Sequence, residues 1–138
     1  MKILLLAVLL PSLAHAECDI YDAAGRYQGN MITTGTMYVG VFPGASDSTP
    51  YAGDFRDNVV HQGEKSPKLL AKVSGNQLFD LDGNLIAVAI GKKISDVTGT
   101  PIATVRNPYR DDGFCDSPGV ALAGVALFVI YPQPNPGP

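Results

Sequence analysis

Residues 75–107 read GNQLFDLDGNLIAVAIGKKISDVTGTPIATVRN, and a turn-forming residue recurs in them every eight positions. The recurring residues are Gly75, Gly83, Gly91, Gly99 and Asn107. Glycine and asparagine tolerate positive φ, so each of them marks a turn. The short apolar runs between the turns predict antiparallel strands near 69–73, 77–81, 85–90, 93–97 and 101–106, with almost no helix in the mature domain.

The eight-residue spacing contains a longer period of sixteen residues. Segment 78–83 aligns with 94–99 and, far upstream, with 20–25, and each copy has an aspartate three residues before its glycine. The repeated unit is therefore a hairpin, in which Asp82-Gly83 predicts a type I′ turn. A repeated supersecondary unit normally stacks on its neighbours to bury its apolar face.

The aspartates of the repeat are Asp22, Asp80 and Asp96. An aspartate before a turn can accept hydrogen bonds from the amides of that turn. We interpret these residues as structural, and a metal-binding or acid–base role is the alternative. The segment 80–84 resembles part of a calcium loop but lacks the distal glutamate.

Alternation along the repeat strands is imperfect, which is typical of strands covered on much of both faces. The small residues Ala71, Ala87 and Ala103 allow close packing around a common axis. We therefore predict an all-β, single domain over 17–131, made of repeated antiparallel hairpins wrapped into a compact, partly closed assembly.

The strings at 20–29, 78–87 and 94–103 share the pattern apolar-x-Asp-x-x-Gly-x-x-x-small, and the chain ends in the apolar run AGVALFVI at 123–130. In these features, at 20–29, over 78–105 and in the C-terminal apolar run, the chain resembles the β-flower proteins, small bacterial domains of hairpins with approximate internal symmetry. The resemblance implies a fold and no functional residue. No clean copy of the repeat lies in 32–67, so the number of hairpins there stays open.

Residues 1–16 have the layout of a secretory signal peptide, with an apolar run at 3–10 and a small-x-small cleavage site at 14–16. The run is too short to span a bilayer, although an uncleaved anchor is the alternative. Glu17, not a small residue, precedes Cys18, which argues against lipidation. We expect a periplasmic or secreted protein without a transmembrane segment in the mature chain.

The mature chain has two cysteines, Cys18 and Cys115. An even pair in an exported protein predicts one disulfide. A metal or redox pair is the weaker interpretation, because there is no CxxC and His61 is the only histidine after the signal peptide. We expect no metal site and no cofactor.

The net charge of −3 argues against a nucleic-acid partner, since phosphate binding needs clustered Lys and Arg. It also argues against adhesion to anionic lipid. The closely spaced lysines are interpreted as a solvated strand face or turn.

The non-repeating part predicts a strand at 37–42, a long loop at 43–50 and another strand at 55–61. Long loops in compact domains are often functional. If the protein binds a partner, we expect the segment 43–58 to contact it through Tyr51, Phe55 and Arg56, which are residue types favoured at interfaces. A tolerated insertion without a partner is the alternative.

The apolar run at 120–131 is too short to cross a membrane as a helix and predicts a buried strand that completes the core. The alternative is an interfacial or inserting segment that contacts a membrane or a partner. The Pro-rich tail at 132–138 cannot pair in a sheet and is expected to be polyproline-like or disordered.

No nucleophile-elbow, HExxH, P-loop or dinucleotide motif occurs in the sequence. The leading hypothesis is a non-catalytic protein of the bacterial envelope, a rigid β scaffold that binds a protein or a glycan, such as an inhibitor or immunity protein. The alternative is a carboxylate-dependent hydrolase of cell-wall or polysaccharide substrates that uses Asp54, Asp57 or Asp111.

Overall fold

The computed structural model describes residues 17–45, 50–64 and 67–136, so the expected signal peptide lies outside the described residues. These residues form ten strands followed by a helix. The strands are β1 (Cys18–Asp22), β2 (Tyr27–Thr34), β3 (Met37–Val41), β4 (Gly53–Arg56), β5 (Val59–Gln62), β6 (Lys68–Ser74), β7 (Gln77–Phe79), β8 (Leu85–Ile90), β9 (Lys93–Asp96) and β10 (Pro101–Arg106). The helix α1 (Pro118–Val125) continues directly into a π-helical segment (Ala126–Ile130).

Each strand pairs antiparallel with the next along the chain, and β1 pairs with β10, so the sheet is a closed barrel. The prediction of a single all-β domain of hairpins is confirmed, and the five strands expected in the repeat are β6 to β10. The assembly is closed completely rather than partly. Register shifts in four of the hairpins, which bend and twist strands, lie at Ile20/Tyr21, Val60/His61, Leu78/Phe79 and Pro101/Ala103.

The barrel has two rims, and the turns alternate between them. The upper rim is the end where β10 stops and the helix begins, and it carries short turns at 35–36, 57–58, 75–76 and 91–92. The lower rim carries the longer connections, including those that start at Asp22, Asp80 and Asp96. The eight-residue spacing of the sequence is thus one strand and one turn, and the sixteen-residue repeat is one full hairpin.

The three aspartates of the lower rim serve their turns as expected. The Oδ1 of Asp80 accepts hydrogen bonds from the amides of Asp82 (3.0 Å) and Asn84 (2.8 Å). Asp22 and Asp96 make the same pair of bonds with the residues two and four positions further on. The type I′ turn predicted at Asp82-Gly83 is wrong, because of these two residues only Gly83 has positive φ (88°), and the loop is held by the Asp80 carboxylate instead.

The strand predicted at 37–42 is confirmed as β3, whereas the single strand predicted at 55–61 is wrong. This segment contains the β4–β5 hairpin, whose turn residues Asp57 (φ 53°) and Asn58 (φ 63°) both have positive φ. Positive φ at both central positions is what a two-residue hairpin turn requires, and Asp and Asn adopt it more readily than most residues.

The buried strand predicted at 120–131 is also wrong, because residues Pro118–Ile130 form a helix that fills the barrel. We call this segment the core helix. The residue before it, Ser117, caps the helix: its Oγ accepts a hydrogen bond from the amide of Val120 (3.2 Å). Pro118 lies in the first turn, a position where proline favours a helix start. A helix that is apolar on every side is stable only inside a core.

A barrel of about eight strands is just filled by its own side chains, so ten strands leave room for more. The inward residues of the strands are also small at many positions, for example Gly40, Gly53, Ala71, Ala87 and Ala103. The core helix occupies the resulting space, and every residue from Gly119 to Phe128 is buried. The small residues thus mark the walls of a helix channel.

A disulfide joins Cys18 to Cys115, as the sequence predicts. It ties the start of β1 to the loop that leads into the core helix, so the helix entrance is held covalently at the upper rim. The chain between the two cysteines spans 97 positions, nearly the whole barrel.

The tail below the core helix is described as far as residue 136 and forms neither helix nor strand there. Its side chains contact the lower rim, since Gln133 donates to the carbonyl oxygen of Ala52 and Asn135 to that of Pro43. The expected disorder of 132–138 stays a prediction. Among the described residues, no helix is both long and apolar enough to cross a membrane.

Candidate functional site

The core helix leaves the outer wall and the two rims as the surfaces on which a partner can be recognised. Of the three residues expected to bind one, Tyr51 lies in the connection before β4 and is exposed, and its amide donates to the Glu64 carboxylate (2.7 Å). Arg56 is exposed at the end of β4. Phe55 lies in β4 rather than in a loop, and only 7 % of it is exposed.

The position of Phe55 follows from the alternation of β4. Gly53 and Phe55 face the core helix, where the Phe55 ring lies beside Gly119 and 6.4 Å from the ring of Tyr38. Asp54 and Arg56 therefore face outward. The structure thus brings Arg56 together with Asp54, and it places Phe55 on the opposite face of the same strand.

Asp54 is the centre of a small ionic cluster on the outer wall. Its Oδ1 accepts a hydrogen bond from Nε of Arg56 (3.2 Å) and lies 3.0 Å from Nδ1 of His61. His61 is directly opposite Asp54 in the β4–β5 pairing. The Asp54 side chain is 12 % exposed, so its carboxylate is partly desolvated and has two partners there.

This arrangement orients the imidazole of His61, because a carboxylate at Nδ1 fixes the ring and leaves Nε2 as the nitrogen that can exchange a proton with a substrate. Proton transfer is the chemistry that such a pair can support. The other two carboxylates considered for hydrolysis lie elsewhere. Asp57 is exposed in the β4–β5 turn, and Asp111 is exposed in the loop between β10 and the core helix.

The aspartates of the lower rim are held ionised by their turns. The backbone amide of Asn84 is the main cause that lowers the pKa of Asp80, and the amide of Arg26 does the same for Asp22. For Asp96 the main cause of the lowered pKa is the hydroxyl of Thr98. These shifts arise from hydrogen bonds within the turns and need no ligand.

A second polar surface lies on the outer wall over β2, β1, β10 and β9. Tyr27, Tyr21, Thr104 and Lys93 are opposite one another in successive strand pairs and form one row across the barrel. The rings of Tyr21 and Tyr27 are 5.7 Å apart. Burial is the main cause that raises the pKa of Tyr27 to about 12, with the charge of Asp19 second, so this hydroxyl stays protonated at neutral pH.

A third feature is a depression of about 240 Å³ at the upper rim, next to the disulfide and the start of the core helix. Its wall includes Phe114, Cys115 and Asp116. The hydroxyl of Tyr38 donates to the Asp116 carboxylate (2.8 Å), and burial raises the pKa of Tyr38 to about 12. These contacts fasten the loop between β10 and the core helix to the barrel.

In the part of the chain that the structure describes, no group of three or more His, Cys, Asp or Glu residues is placed to hold a metal ion. No family model, no curated protein and no solved structure matches the chain. The resemblance to the β-flower proteins therefore stays a prediction.

Sequence reasoning missed both polar surfaces of the outer wall as units. Asp54 and His61 were considered separately, and only the β4–β5 hairpin brings them together. Tyr21 and Thr104 are far apart in the sequence, and only the closing pair of β1 with β10 makes them neighbours. The hairpin could have been found from Asp57-Asn58, whereas the closing pair leaves no local signal.

Proposed function

We propose that this protein is an exported, non-catalytic protein of the bacterial envelope, periplasmic or secreted, that acts as a rigid β scaffold and binds a protein or a glycan on its outer surface. The observation that carries the proposal is the buried core helix. A barrel whose interior is occupied by its own chain is suited to recognition on the outside rather than to enclosing a small molecule.

The rigidity of the scaffold supports the same proposal. The sheet has no free edge because β1 pairs with β10, and a disulfide fixes the entrance of the core helix. A preorganised surface binds with a smaller entropy cost than a flexible one. An inhibitor or immunity protein is one kind of envelope protein that such a scaffold suits.

The Asp54–His61 pair favours a second candidate function, a hydrolase of cell-wall or polysaccharide substrates. A carboxylate at 3.0 Å from Nδ1 is the arrangement that orients a histidine as a general base. In this proposal Asp54 would position His61, and the two exposed carboxylates, Asp57 in the β4–β5 turn and Asp111 in the loop after β10, would have no part.

The experiment that separates the two functions combines binding and turnover. Purified, disulfide-bonded protein is tested for saturable binding to envelope glycans and envelope proteins, and the same preparation is incubated with cell-wall and polysaccharide substrates. Saturable binding without product supports the scaffold. Product that disappears in Asp54→Asn or His61→Ala, but not in the matched surface variant Asp57→Asn, overturns it in favour of the hydrolase.

The same binding assay tests the two exposed residues expected to contact a partner. Tyr51→Ala and Arg56→Ala each remove one exposed side chain, and a binding hot spot costs about 2 kcal/mol or more when it is truncated. Phe55 is unsuitable for this test, because its truncation removes a contact with the core helix and so changes folding.

A further inference from the structure

Three cationic side chains converge on one depression in the outer wall over β1, β10 and β9. The depression has a volume of about 340 Å³. It is lined by Tyr21, Lys92, Lys93, Thr104, Val105 and Arg106. The lining contains three positive charges and no carboxylate, although the protein as a whole has a net charge of −3.

Strand pairing explains why these residues meet. Thr104 of β10 is opposite Tyr21 of β1 on one side and Lys93 of β9 on the other. Arg106 lies two residues beyond Thr104 on the same face of β10. Lys92 reaches the same place from the β8–β9 turn, because its Nζ and the Cγ of Arg106 both lie next to Gly113, 3.3 Å and 3.8 Å from the position that a Cβ would take there.

Carboxylates that the structure describes lie near this group, but two of its cations form no ion pair with them. Asp19 faces Arg106 across β1 and β10; burial and the nearby Glu17 raise the pKa of Asp19, and the charge of Arg106 lowers it. Lys92 donates to the backbone oxygen of Asp112 (3.2 Å), and its charge helps to lower the pKa of the Asp112 carboxylate, which is paired with Arg110. Among the described residues, no carboxylate lies within ion-pair distance of Lys93 or Arg106.

An aromatic surface borders the cations on one side. Tyr21 lines the depression, and its ring lies 5.7 Å from that of Tyr27, which is 43 % exposed. A tyrosine ring offers an apolar face to the C–H groups of a sugar, and its hydroxyl donates or accepts hydrogen bonds. Cations, hydroxyls and an aromatic face thus lie side by side.

We propose that this depression binds a carboxylated sugar unit of an envelope polysaccharide, an inference that rests on the binding function proposed above. Lys93 and Arg106 contact the sugar carboxylate, Thr104 donates to a ring oxygen or hydroxyl, and the sugar ring packs against Tyr21. A sugar carboxylate is favoured over inorganic phosphate because the Tyr21 ring beside the cations offers a contact to a sugar ring that inorganic phosphate does not use.

The test uses trigalacturonate, a short carboxylated glycan, with maltotriose as its neutral counterpart. Amide chemical shifts of the isotope-labelled, disulfide-bonded protein are followed at low ionic strength. We expect trigalacturonate to shift the amides of residues around Tyr21, Lys93 and Arg106 in a saturable manner, and we expect added salt to weaken the binding. Maltotriose at the same concentration should leave these amides unchanged.

Two variant pairs with the same change of net charge test the site. Lys93→Gln with Arg106→Gln removes two cations of the depression, and Lys68→Gln with Lys72→Gln removes two exposed cations of β6. We expect Kd for trigalacturonate to rise about tenfold to a hundredfold in the first pair and to stay within about twofold in the second. An equal loss in both pairs would show a general charge effect and would overturn the site.

Other outcomes separate this inference from the proposed function. Absence of trigalacturonate binding, or inorganic phosphate that binds as tightly, overturns the carboxylated-sugar site. Saturable binding that shifts the amides around the ionic cluster of Asp54, Arg56 and His61 instead also overturns the site but leaves the scaffold function in place. Cleavage of trigalacturonate bound in the depression would instead overturn the non-catalytic function and support the site.

Discussion

Around the upper half of the core helix the glycines belong to the helix, whereas around its lower half they belong to the strands. Gly119 and Gly124 lie in α1, where the large side chains of Phe55, Ile20 and Met31 approach them from the barrel wall. In the π-helical segment the large side chains are Leu127 and Phe128, and the strand residues that receive them are Gly29, Gly40 and Gly53.

The comparison shows that one helix fits one channel by two opposite means. The upper half has glycines that make room for large side chains of the strands. The lower half has large side chains, and they pack against glycines of β2, β3 and β4. The two halves also differ in their attachment. The upper half follows directly from the disulfide at Cys115, and the lower half is held by packing and by contacts such as the hydrogen bond from Gln62 to the carbonyl oxygen of Tyr131 (3.3 Å).

The largest expected effect concerns the covalent attachment of the upper half. The double variant Cys18→Ala/Cys115→Ala removes a crosslink across 97 positions. In the chain-entropy model this lowers the free energy of unfolding by about 4–5 kcal/mol. Urea denaturation measures it, and wild-type protein in a reducing agent is the control. A loss below about 1 kcal/mol would show that packing alone holds the helix entrance.

The next effect tests the strand glycines that pack against the lower half of the core helix. In Gly53→Ala the new Cβ would overlap the backbone carbonyl of His61 and lie 2.6 Å from Leu127, and backbone cannot move aside cheaply. We expect a loss of about 3 kcal/mol in the free energy of unfolding.

Gly40→Ala is the matched control for that variant. The atoms nearest to its Cβ would be the ends of side chains, Leu127 at 3.0 Å and Phe128 at 3.2 Å, which can shift. We expect a smaller loss than for Gly53→Ala. Equal losses would mean that the channel tolerates no added volume anywhere and that the backbone contact at His61 is unimportant.

A smaller effect tests the fit of the upper half. In Gly124→Ala the new Cβ would lie 2.5 Å from Cδ1 of Ile20, and Ile20→Val removes that methyl group. We expect each single variant to lower the free energy of unfolding by about 1–2 kcal/mol. The double variant should lose clearly less than the sum, because the valine makes room for the alanine. Additive losses in this cycle would contradict the proposed contact.

The smallest effect is the pH dependence that comes from the lower rim, which lies outside the helix fit altogether. The pKa values of Asp22, Asp80 and Asp96 are lower in the folded protein than their ordinary value of 3.8. Their stabilisation is therefore present above the unfolded pKa and is lost as the pH falls through the folded pKa.

As the pH decreases below about 4, we expect the urea concentration at the unfolding midpoint of the wild type to decrease. We expect a smaller decrease for the triple variant Asp22→Asn/Asp80→Asn/Asp96→Asn. Asparagine keeps an oxygen that accepts the turn amides but does not titrate in this range. Parallel acid profiles for the two proteins would assign the acid sensitivity to other carboxylates.

The repeat half of the fold could be predicted from the sequence because its signals are local. Gly75 and Gly91 mark short upper turns, and Asp80 and Asp96 mark the longer lower ones. The β4–β5 hairpin was missed because its turn is Asp57-Asn58, without a glycine, inside an otherwise strand-like segment.

The core helix could not be assigned from its own apolar run. A buried strand and a buried helix are equally apolar on all sides, so periodicity does not separate them. Two signals pointed to the helix, namely Ser117-Pro118 as a helix start and the alanines Ala71, Ala87 and Ala103, which leave space inside the barrel. The cationic depression depends on the pairing of β1 with β10, and that pairing is a property of the closed barrel rather than of any segment.

The position of the core helix after all ten strands of the barrel has a consequence for how the protein folds. The barrel closes only when β1 meets β10, and its interior is filled only when residues 118–130 arrive. In a polypeptide that is made from its N-terminus, we therefore expect the hairpins to keep their apolar faces exposed until residues 118–130 are available. We therefore expect folding to be completed only when the core helix enters the barrel, and a chain that is cut before Pro118 to lack the residues that fill the interior.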